Sequence, residues 1–268
     1  MLKGFSTPLS PLGCANLTPA PPWHYAGDLL VIEFWADGDA VRAVLPPGIT
    51  AGRDAGRCLA FFADWQACTN GREELLDPVR AQYREFFVLV SGRYKVQPVM
   101  TCPYIFVDQD TSMMRGLIQG FPKVLGSIHV TRAFCVEGMA SPPLAPGSVF
   151  AGTASAKGRR LAEGWVKLTG PAAAPPPMDS IVTLRYFPSF DAGKQQSPAA
   201  AELVWSLWED RRISAVWTGD AELSFFASPC HELQALAPLR VGSGYRFSMA
   251  MTICHAGQSI DIREAWTR

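Results

Sequence analysis

Short apolar runs, rich in β-branched and aromatic residues, succeed one another along most of the chain, and this pattern constrains the fold more than any other feature. The runs are separated by hairpin-length connections, and few stretches show helical spacing. We therefore predict a mainly β fold with minor α (α+β), built as a closed antiparallel β-barrel or double sheet with a few short helices. The predicted strands are Leu29 to Trp35, Leu59 to Trp65, Tyr83 to Tyr94, Tyr104 to Val107, Leu125 to Phe134, Val149 to Thr153, Trp165 to Leu168, Ile181 to Phe187, Leu203 to Trp208, Ile213 to Trp217 and Tyr245 to Cys254.

Capping residues and helix breakers predict three brief helices between these strands. They cover Ala40 to Leu45, Asp110 to Gly120, and Ala221 to Phe226. Asp37 or Asp39 can cap the first helix, and the second ends at Gly120. Residues 6–22 are rich in proline, which predicts an extended N-terminal arm that lies over the body of the protein.

Length and charge limit the classes of function. We expect a single domain spanning residues 1–268, since barrel and double-sheet folds commonly reach this length as one unit. Lysine plus arginine equals aspartate plus glutamate, at 24 each, so the charge supports neither nucleic-acid binding nor attachment to a membrane surface. The N-terminus has no apolar leader, and no run reaches the length of a membrane span, so we expect a soluble cytoplasmic protein.

The spacing typical of metal and cofactor sites is missing from the sequence. The seven cysteines are scattered without a CxxC pair, and the four histidines form no HExxH pattern. No glycine-rich phosphate loop of the Rossmann or Walker type is present. We therefore expect buried free thiols, no metal site and no bound cofactor.

The stretch at residues 119–126, Gln-Gly-Phe-Pro-Lys-Val-Leu-Gly, contains the best candidate for a catalytic residue. Gly120 permits a tight turn and Pro122 fixes its own backbone angle, so Lys123 leaves the turn in a defined direction. Burial beside Phe121 would disfavour the charged ammonium and lower the lysine pKa. A neutral amine attacks ketones and aldehydes to form Schiff bases. The alternative is an ordinary solvated lysine in a surface turn.

Strand alternation puts a carboxylate on an apolar face of the predicted strand Tyr83 to Tyr94. Period two places Glu85 beside Tyr83 and Phe87, and it places Phe86 on the opposite face. A glutamate in such surroundings is a candidate for proton transfer. The alternative is a glutamate at the strand end that reaches solvent.

Together these features resemble the acetoacetate decarboxylase-like superfamily, whose Schiff-base lysine lies in a Tyr/Phe-Pro-Lys-x-Leu-Gly stretch. Residues 121–126 match that stretch here. Further matches, in the family's order, are residues 6–9, 39–46, 83–85, 187–191, 202–203 and 217–219. The resemblance covers nearly the full length of the chain. It implies that Lys123 forms an imine, that Glu85 is the active-site glutamate, and that the chain forms a homo-oligomer.

The chain departs from the family pattern at three positions. Val124 stands where acetoacetate decarboxylases have a second lysine, and Gly27 stands where they have a substrate-binding arginine. The family's second pocket glutamate aligns near Phe62, so that glutamate is also missing here. These departures disfavour a dedicated acetoacetate decarboxylase. Gln119, four residues before Lys123, instead resembles a divergent branch associated with aldolase and dehydratase chemistry on pyruvate-like donors and aldehydes.

The first hypothesis is a cofactor-independent lyase in which Lys123 forms an imine with a 2-oxo acid and Glu85 moves protons at the adjacent carbon. Gln119 and Tyr83 would hydrogen-bond the carboxylate or carbonyl oxygen, and Phe121 would line the pocket. Gln119 could instead cap the preceding helix, and Tyr83 could be an ordinary strand tyrosine. Two other functions remain open: a decarboxylase of a β-keto acid larger than acetoacetate, and a non-catalytic carrier of a small hydrophobic ligand. The expected partner is a small carbonyl compound.

Overall fold

The computed structural model describes residues 1–136, 138–194 and 197–266, and strands dominate this part of the chain. The strands are β1 (Trp23–Trp35), β2 (Ile49–Ala51), β3 (Arg57–Cys68), β4 (Gln82–Tyr94), β5 (Gln97–Val107), β6 (Lys123–Leu125), β7 (Ser127–Val130), β8 (Val149–Ala156), β9 (Arg159–Ala172), β10 (Ser180–Pro188), β11 (Pro198–Ser206), β12 (Glu209–Ile213), β13 (Val216–Phe225), β14 (Arg240–Ile253) and β15 (Ala256–Asp261). The α-helices are α1 (Gly38–Ala43), α2 (Pro78–Ala81) and α3 (Asp110–Gln119), and 3-10 turns occupy Glu73–Leu76, Leu233–Leu236 and Arg263–Trp266. The predicted mainly β fold with a few short helices is confirmed.

The strands pair into one large, strongly curved sheet. Its order is β15-β11-β10-β5-β4-β3-β1-β14-β13-β9-β8-β7, with β12 beside β14, β2 beside β4 and β6 beside β5. Most neighbours are antiparallel, but β5 pairs in parallel with both β6 and β10. Within the described residues the order runs from β15 to β7 without joining these two strands, so the sheet is mixed and open rather than a closed barrel. No helix in these ranges is long and apolar enough to cross a membrane.

The central strands bury both of their faces, and each face belongs to a separate core. The face of β4 that carries Phe86 and Val88 packs against Phe62, Phe150 and other apolar side chains from β7, β8, β9 and β13. We call this assembly the apolar core. The opposite face of β4, which carries Tyr83 and Phe87, packs against side chains from β1, β3, β5, β14 and α3. We call this second assembly the site core. The predicted alternation along β4 is confirmed.

Helix α3 covers the site core and delivers the lysine turn. Its N-cap is Gln109, whose side chain accepts a hydrogen bond from the Ser112 amide. It ends, as predicted, at Gly120, which adopts a left-handed conformation with φ +87°. A Cβ at Gly120 would lie 2.8 Å from Thr183 Oγ1 and from the Arg185 amide, so both the backbone angle and the available space require glycine here.

Three predicted elements differ from the structure. The strand Leu125 to Phe134 is divided at Gly126, because β6 pairs with β5 whereas β7 pairs with β8. The helix predicted at Ala221 to Phe226 is wrong, since all but the last of these residues belong to β13, where buried and exposed side chains alternate and β9 supplies the partner strand. The strand Ile213 to Trp217 is interrupted between β12 and β13. In each case long-range pairing outweighs the local pattern.

Candidate active site

The lysine side chain lies in the site core, close to the carboxylate that the sequence predicted. Lys123 begins β6, opposite Ile105 of β5. Its Nζ lies 2.6 Å from Glu85 Oε2 and donates a hydrogen bond to Ser112 Oγ at 3.0 Å. The side chains of Lys123 and Glu85 are each only 8% exposed. The structure therefore brings the two predicted catalytic residues into direct contact, away from bulk solvent.

A glycine in α3 creates the passage for the lysine side chain. A Cβ at Gly116 would lie between 2.3 and 2.6 Å from the Lys123 methylene carbons, so the lysine crosses the helix where no side chain stands. The crossing carries Nζ to Ser112, one helical turn closer to the N-terminus of α3. Gly116 thus fixes the path of Lys123, a role that its isolated position in the sequence did not indicate.

A second buried cation lies beside the pair. Arg115 of α3 is 4% exposed, and its guanidinium carbon lies 5.3 Å from the centre of the Tyr25 ring and 5.6 Å from that of Tyr83. Its Nε and Nη2 have no hydrogen-bond partner among the described residues, and no carboxylate in these ranges forms an ion pair with it. A buried guanidinium without a carboxylate partner is costly, so an anion bound beside Arg115 would stabilise it.

Sequence reasoning did not identify Arg115, although a signal was present. Arg115 lies three residues after Ser112 and four before Gln119, so these three side chains share one face of α3. The significance of that face depends on which core it covers. Only the packing of α3 over the site core makes it part of a site.

Burial dominates the electrostatics of this site. Desolvation is the largest effect on the Lys123 amine and lowers its pKa below the usual value. The nearby Arg115 guanidinium also lowers this pKa, whereas the Glu85 carboxylate raises it. Desolvation also raises the pKa of Tyr25 and raises that of Tyr83 well above its usual value. The amine is therefore easier to deprotonate than a free lysine, whereas both phenols keep their protons and can donate hydrogen bonds.

Tyr25, Tyr83, Glu85 and Lys123 line a small cavity of about 40 Å³, which we call the inner pocket, and Arg115 lies outside this lining, against the Tyr25 and Tyr83 rings. All five residues that the sequence predicted for the site line the inner pocket: Tyr83, Glu85, Gln119, Phe121 and Lys123. The sequence analysis missed other lining residues, which come from distant strands and include Tyr25, Trp65, Trp208, Met251 and Ile253. Strand pairing over more than two hundred residues assembles this wall, so no local motif marks it.

The side chain of Gln119 forms a hydrogen bond to its own helix, the alternative considered from the sequence, and also reaches the inner pocket. Its Nε2 donates to the Arg115 carbonyl at 3.0 Å, a hydrogen bond within its own helix. Its Oε1 is buried and has no partner among the described residues. The amide therefore lines the inner pocket with one polar atom unused, which fits a ligand contact.

The three departures from the family pattern have structural counterparts. Val124 packs against the apolar core, so it points away from the inner pocket, as alternation predicted. Phe62 is fully buried in that same core. A Cβ at Gly27 would lie 2.4 Å from the Trp65 ring, so the indole of Trp65 occupies the space that a side chain at position 27 would need.

Among the described residues, no three histidine, cysteine, aspartate or glutamate side chains come close enough together to hold a metal ion. The seven cysteines are free, as expected, but the expectation that they are buried is correct only for Cys58 and Cys102, since Cys14, Cys135 and Cys230 are exposed. Burial raises the pKa of Cys58 to about 12 and raises that of Cys102 well above its usual value. These two thiols therefore stay protonated at neutral pH.

Residues 6–260 match the family model described as acetoacetate decarboxylase. The chain belongs to the acetoacetate decarboxylase family. The match spans both cores and includes Lys123, Glu85 and Arg115. The resemblance inferred from the sequence motifs is thereby confirmed.

Two solved structures of the enduracididine biosynthesis enzyme MppR are similar to this family member over nearly their whole length. MppR complexed with the condensation product of pyruvate and imidazole 4-carboxaldehyde is 39% identical, with 96% of each chain covered and a TM-score of 0.89. MppR complexed with pyruvate is also 39% identical, with 96% of this chain and 97% of that chain covered and a TM-score of 0.88.

More distant members of the same fold also align along the whole chain. An acetoacetate decarboxylase-like enzyme from Sphingomonas wittichii RW1 is 23% identical, with a TM-score of 0.88 and 96% of this chain and 99% of that chain covered. The acetoacetate decarboxylase from Legionella pneumophila is 18% identical, with a TM-score of 0.71 and 97% of each chain covered. At these identities the likeness concerns the fold. The comparison with curated proteins gave no match.

Proposed function

We propose that this protein is a cofactor-independent Schiff-base lyase that joins a 2-oxo acid such as pyruvate to an aldehyde, with dehydration, or catalyses the reverse reaction. The observation that carries the proposal is a buried amine close to a buried guanidinium that has no carboxylate partner among the described residues. Lys123 Nζ lies 5.4 Å and the Arg115 guanidinium 5.6 Å from the centre of the same Tyr83 ring. A 2-oxo acid has a carbonyl carbon for the amine and a carboxylate for the guanidinium.

The first chemical step is imine formation. Glu85, 2.6 Å from Nζ, accepts a proton from the Lys123 ammonium and frees the amine lone pair. The amine attacks the keto carbon, the keto oxygen leaves as water, and a C=N bond to Nζ replaces the C=O bond. Arg115 holds the carboxylate through its unused N–H groups, and Gln119 and Tyr83 offer further donors to the substrate oxygens.

The second step makes the carbon-carbon bond. Glu85 removes a proton from the methyl group beside the imine, and the electron pair moves into an enamine. The enamine carbon attacks the aldehyde carbonyl carbon, whose oxygen takes up a proton. Loss of that hydroxyl as water gives an unsaturated product, and hydrolysis of the imine restores Lys123.

The solved relatives support pyruvate as the donor. MppR has been crystallised with pyruvate and with a condensation product of pyruvate and an aldehyde, at 39% identity to this chain. The site described here contains a carboxylate partner, an amine and an acid-base group for the same type of compound.

The test is reductive trapping. The protein is incubated with pyruvate and borohydride at neutral pH, and the modified peptide is located by mass spectrometry. We expect a covalent adduct on the peptide that contains Lys123, lost in Lys123→Ala and kept in the control Lys167→Ala, which removes an exposed lysine of β9. An adduct elsewhere, or none with any 2-oxo acid, would refute the proposal.

The alternative function is decarboxylation of a larger β-keto acid, and it is supported by the family to which the chain belongs. Product analysis distinguishes the two functions. An aldol lyase forms a new carbon-carbon bond from pyruvate and an aldehyde without releasing carbon dioxide. Carbon dioxide release from β-keto acids, with no condensation product, would favour the decarboxylase instead.

A further inference from the structure

The inner pocket is too small to hold both reactants of a condensation. Its volume is about 40 Å³. A water molecule needs roughly 10–15 Å³, so the cavity has room for about three water-sized groups. An imine of a three-carbon acid fills such a space. The body of an aldehyde must therefore occupy a neighbouring cavity.

A second cavity adjoins the inner pocket behind two shared side chains, Gln119 and Ile253. We call it the outer pocket, and its volume is about 210 Å³. Its walls are formed mainly by aromatic and apolar side chains from the N-terminal arm, β1 and β11, namely Phe5, Pro21, Trp23, Val204 and Trp205. The rings of Phe5 and Trp23 pack edge to face, with their centres 6.1 Å apart.

Three other cavities each share one side chain with the inner pocket, but these dividing walls are fixed. The first shares Trp65, whose ring is packed against Gly27 and lies edge to face with Tyr25. The second shares Phe121, in the lysine turn, where Gly120 is packed tightly against the backbone of β10. The third shares Trp208, whose Nε1 donates to Ser206 Oγ at 2.9 Å. Gln119, by contrast, is an unbranched side chain whose amide interacts, within the described ranges, only with its own helix and with the Tyr25 hydroxyl, so rotation about its side-chain torsions can open the wall.

The outer pocket offers no unpaired charge among its described lining residues that could bind an anion. Arg185 lies at its edge, but its guanidinium is 2.7 Å from the Glu202 carboxylate and also donates to the Ile118 carbonyl. The remaining rim includes His255, which lies 4.0 Å from Glu209. Aromatic walls without a free cation favour an uncharged ring over a second carboxylate.

We propose that the outer pocket is the binding site for the acceptor aldehyde, and that it selects an uncharged aldehyde with an aromatic or comparable apolar ring. The ring packs between Phe5, Trp23 and Trp205. The aldehyde carbon reaches past Gln119 and Ile253 to the nucleophilic carbon attached to Lys123. This inference rests on the proposed function and names the class of its second substrate.

The experiment measures KM for the aldehyde at saturating pyruvate, with benzaldehyde, acetaldehyde and glyoxylate as probes. We expect benzaldehyde to be the best of the three in the unmodified protein. Phe5→Ala removes one aromatic wall from a half-exposed position of the arm, where the fold does not depend on it. We expect KM for benzaldehyde to rise about tenfold, the equivalent of one lost aromatic contact, while KM for acetaldehyde changes little.

The matched control is Tyr186→Ala, which removes an aromatic ring of similar exposure from the cavity behind Phe121. Met178→Ala serves the same purpose in the cavity behind Trp208. Borohydride trapping of pyruvate should be equal in all three variants. An unchanged benzaldehyde KM in Phe5→Ala, or a rise confined to either control, would overturn the assignment.

A binding measurement separates failure of this inference from failure of the proposed function. Nitrobenzaldehyde quenches tryptophan fluorescence, and Trp23 and Trp205 line the outer pocket. If no 2-oxo acid is trapped on Lys123, the proposed function fails. Even in that case, weaker quenching in Phe5→Ala than in Tyr186→Ala would support the binding of an aromatic ring in the outer pocket. Equal quenching in the two variants would refute ring binding there.

Discussion

The apolar core and the site core share strands β1, β3, β4 and β5 and bury opposite faces of them, yet their contents differ. Phe86 of β4 lies in the apolar core among Phe62, Phe106 and Phe225. The buried guanidinium of Arg246 lies over the Phe150 ring of this core and is paired with Asp28. Glu85, the neighbour of Phe86 in β4, lies in the site core, where a lysine and an arginine are also buried. The comparison shows a difference in charge compensation: Arg246 beside the apolar core has a carboxylate partner, whereas Arg115 in the site core forms no ion pair among the described residues, and such burial costs free energy.

The largest expected effect comes from breaking the apolar core. Phe86→Ala leaves a cavity beneath the central sheet and should reduce the free energy of unfolding by about 3–5 kcal/mol, the usual cost of such a truncation. Denaturant unfolding measures the loss. Trapping of pyruvate per folded molecule should stay unchanged, and a variant that is folded yet not trapped would show that the two cores are not separable.

Glu85→Gln alters the site core and leaves the apolar core intact. It keeps the shape of the side chain but removes the group that transfers protons, so turnover should fall about 10²–10⁴-fold. Imine trapping should persist, because the amine is still buried and Glu85 raises rather than lowers the pKa of Lys123. Steady-state kinetics combined with trapping checks both parts. Unchanged turnover across pH would remove Glu85 from the mechanism.

Gly116→Ala tests whether the path of the lysine matters. A methyl group there would meet the Lys123 methylenes, so the amine must move, and a displacement of about 1 Å can reduce a rate about 10²-fold. The stability should change little, since alanine favours a helix by about 1 kcal/mol over glycine and the displaced atoms are flexible. Comparing the trapping rate with the denaturation midpoint distinguishes this outcome from general damage.

The smallest expected effect is a shift in pH dependence. Because burial lowers the pKa of Lys123, the folded protein binds fewer protons than the unfolded chain between that lowered pKa and the usual 10.5. The contribution of Lys123 to the free energy of unfolding therefore rises with pH through that interval. The rate of imine formation should reach its plateau below pH 10.5, because the amine is deprotonated at a lower pH than a free lysine. Trapping of acetone, which has no carboxylate, reports the amine alone.

Arg115→Gln should move that plateau to higher pH, because the guanidinium lowers the pKa of Lys123. Glu85→Gln should move it in the opposite direction, because the carboxylate raises that pKa. Shifts of the same sign in the two variants would contradict the electrostatic description of the site core.

The sequence predicted the parts of the site that depend on local rules. Alternation in β4 placed Glu85 with Tyr83, and the turn residues before Lys123 defined its direction. The sequence did not predict Arg115, because the role of a helix face depends on the element that it packs against, and the sequence does not reveal that element. Ala221 to Phe226 was mistaken for a helix because its partner strand β9 lies some sixty residues earlier in the chain, beyond the reach of any local pattern.

The contact between position 27 and Trp65 restricts the order in which substitutions can accumulate. The arginine that the resemblance places at position 27 and the indole of Trp65 need the same volume, so the two are mutually exclusive. Gly27→Arg alone would force a clash in the middle of two paired strands, and Trp65→Ala alone would open a void in the pocket wall. Single substitutions that exchange Gly27 and Trp65 for an arginine at position 27 and a small residue at position 65 must therefore pass through an intermediate that is less stable than either end.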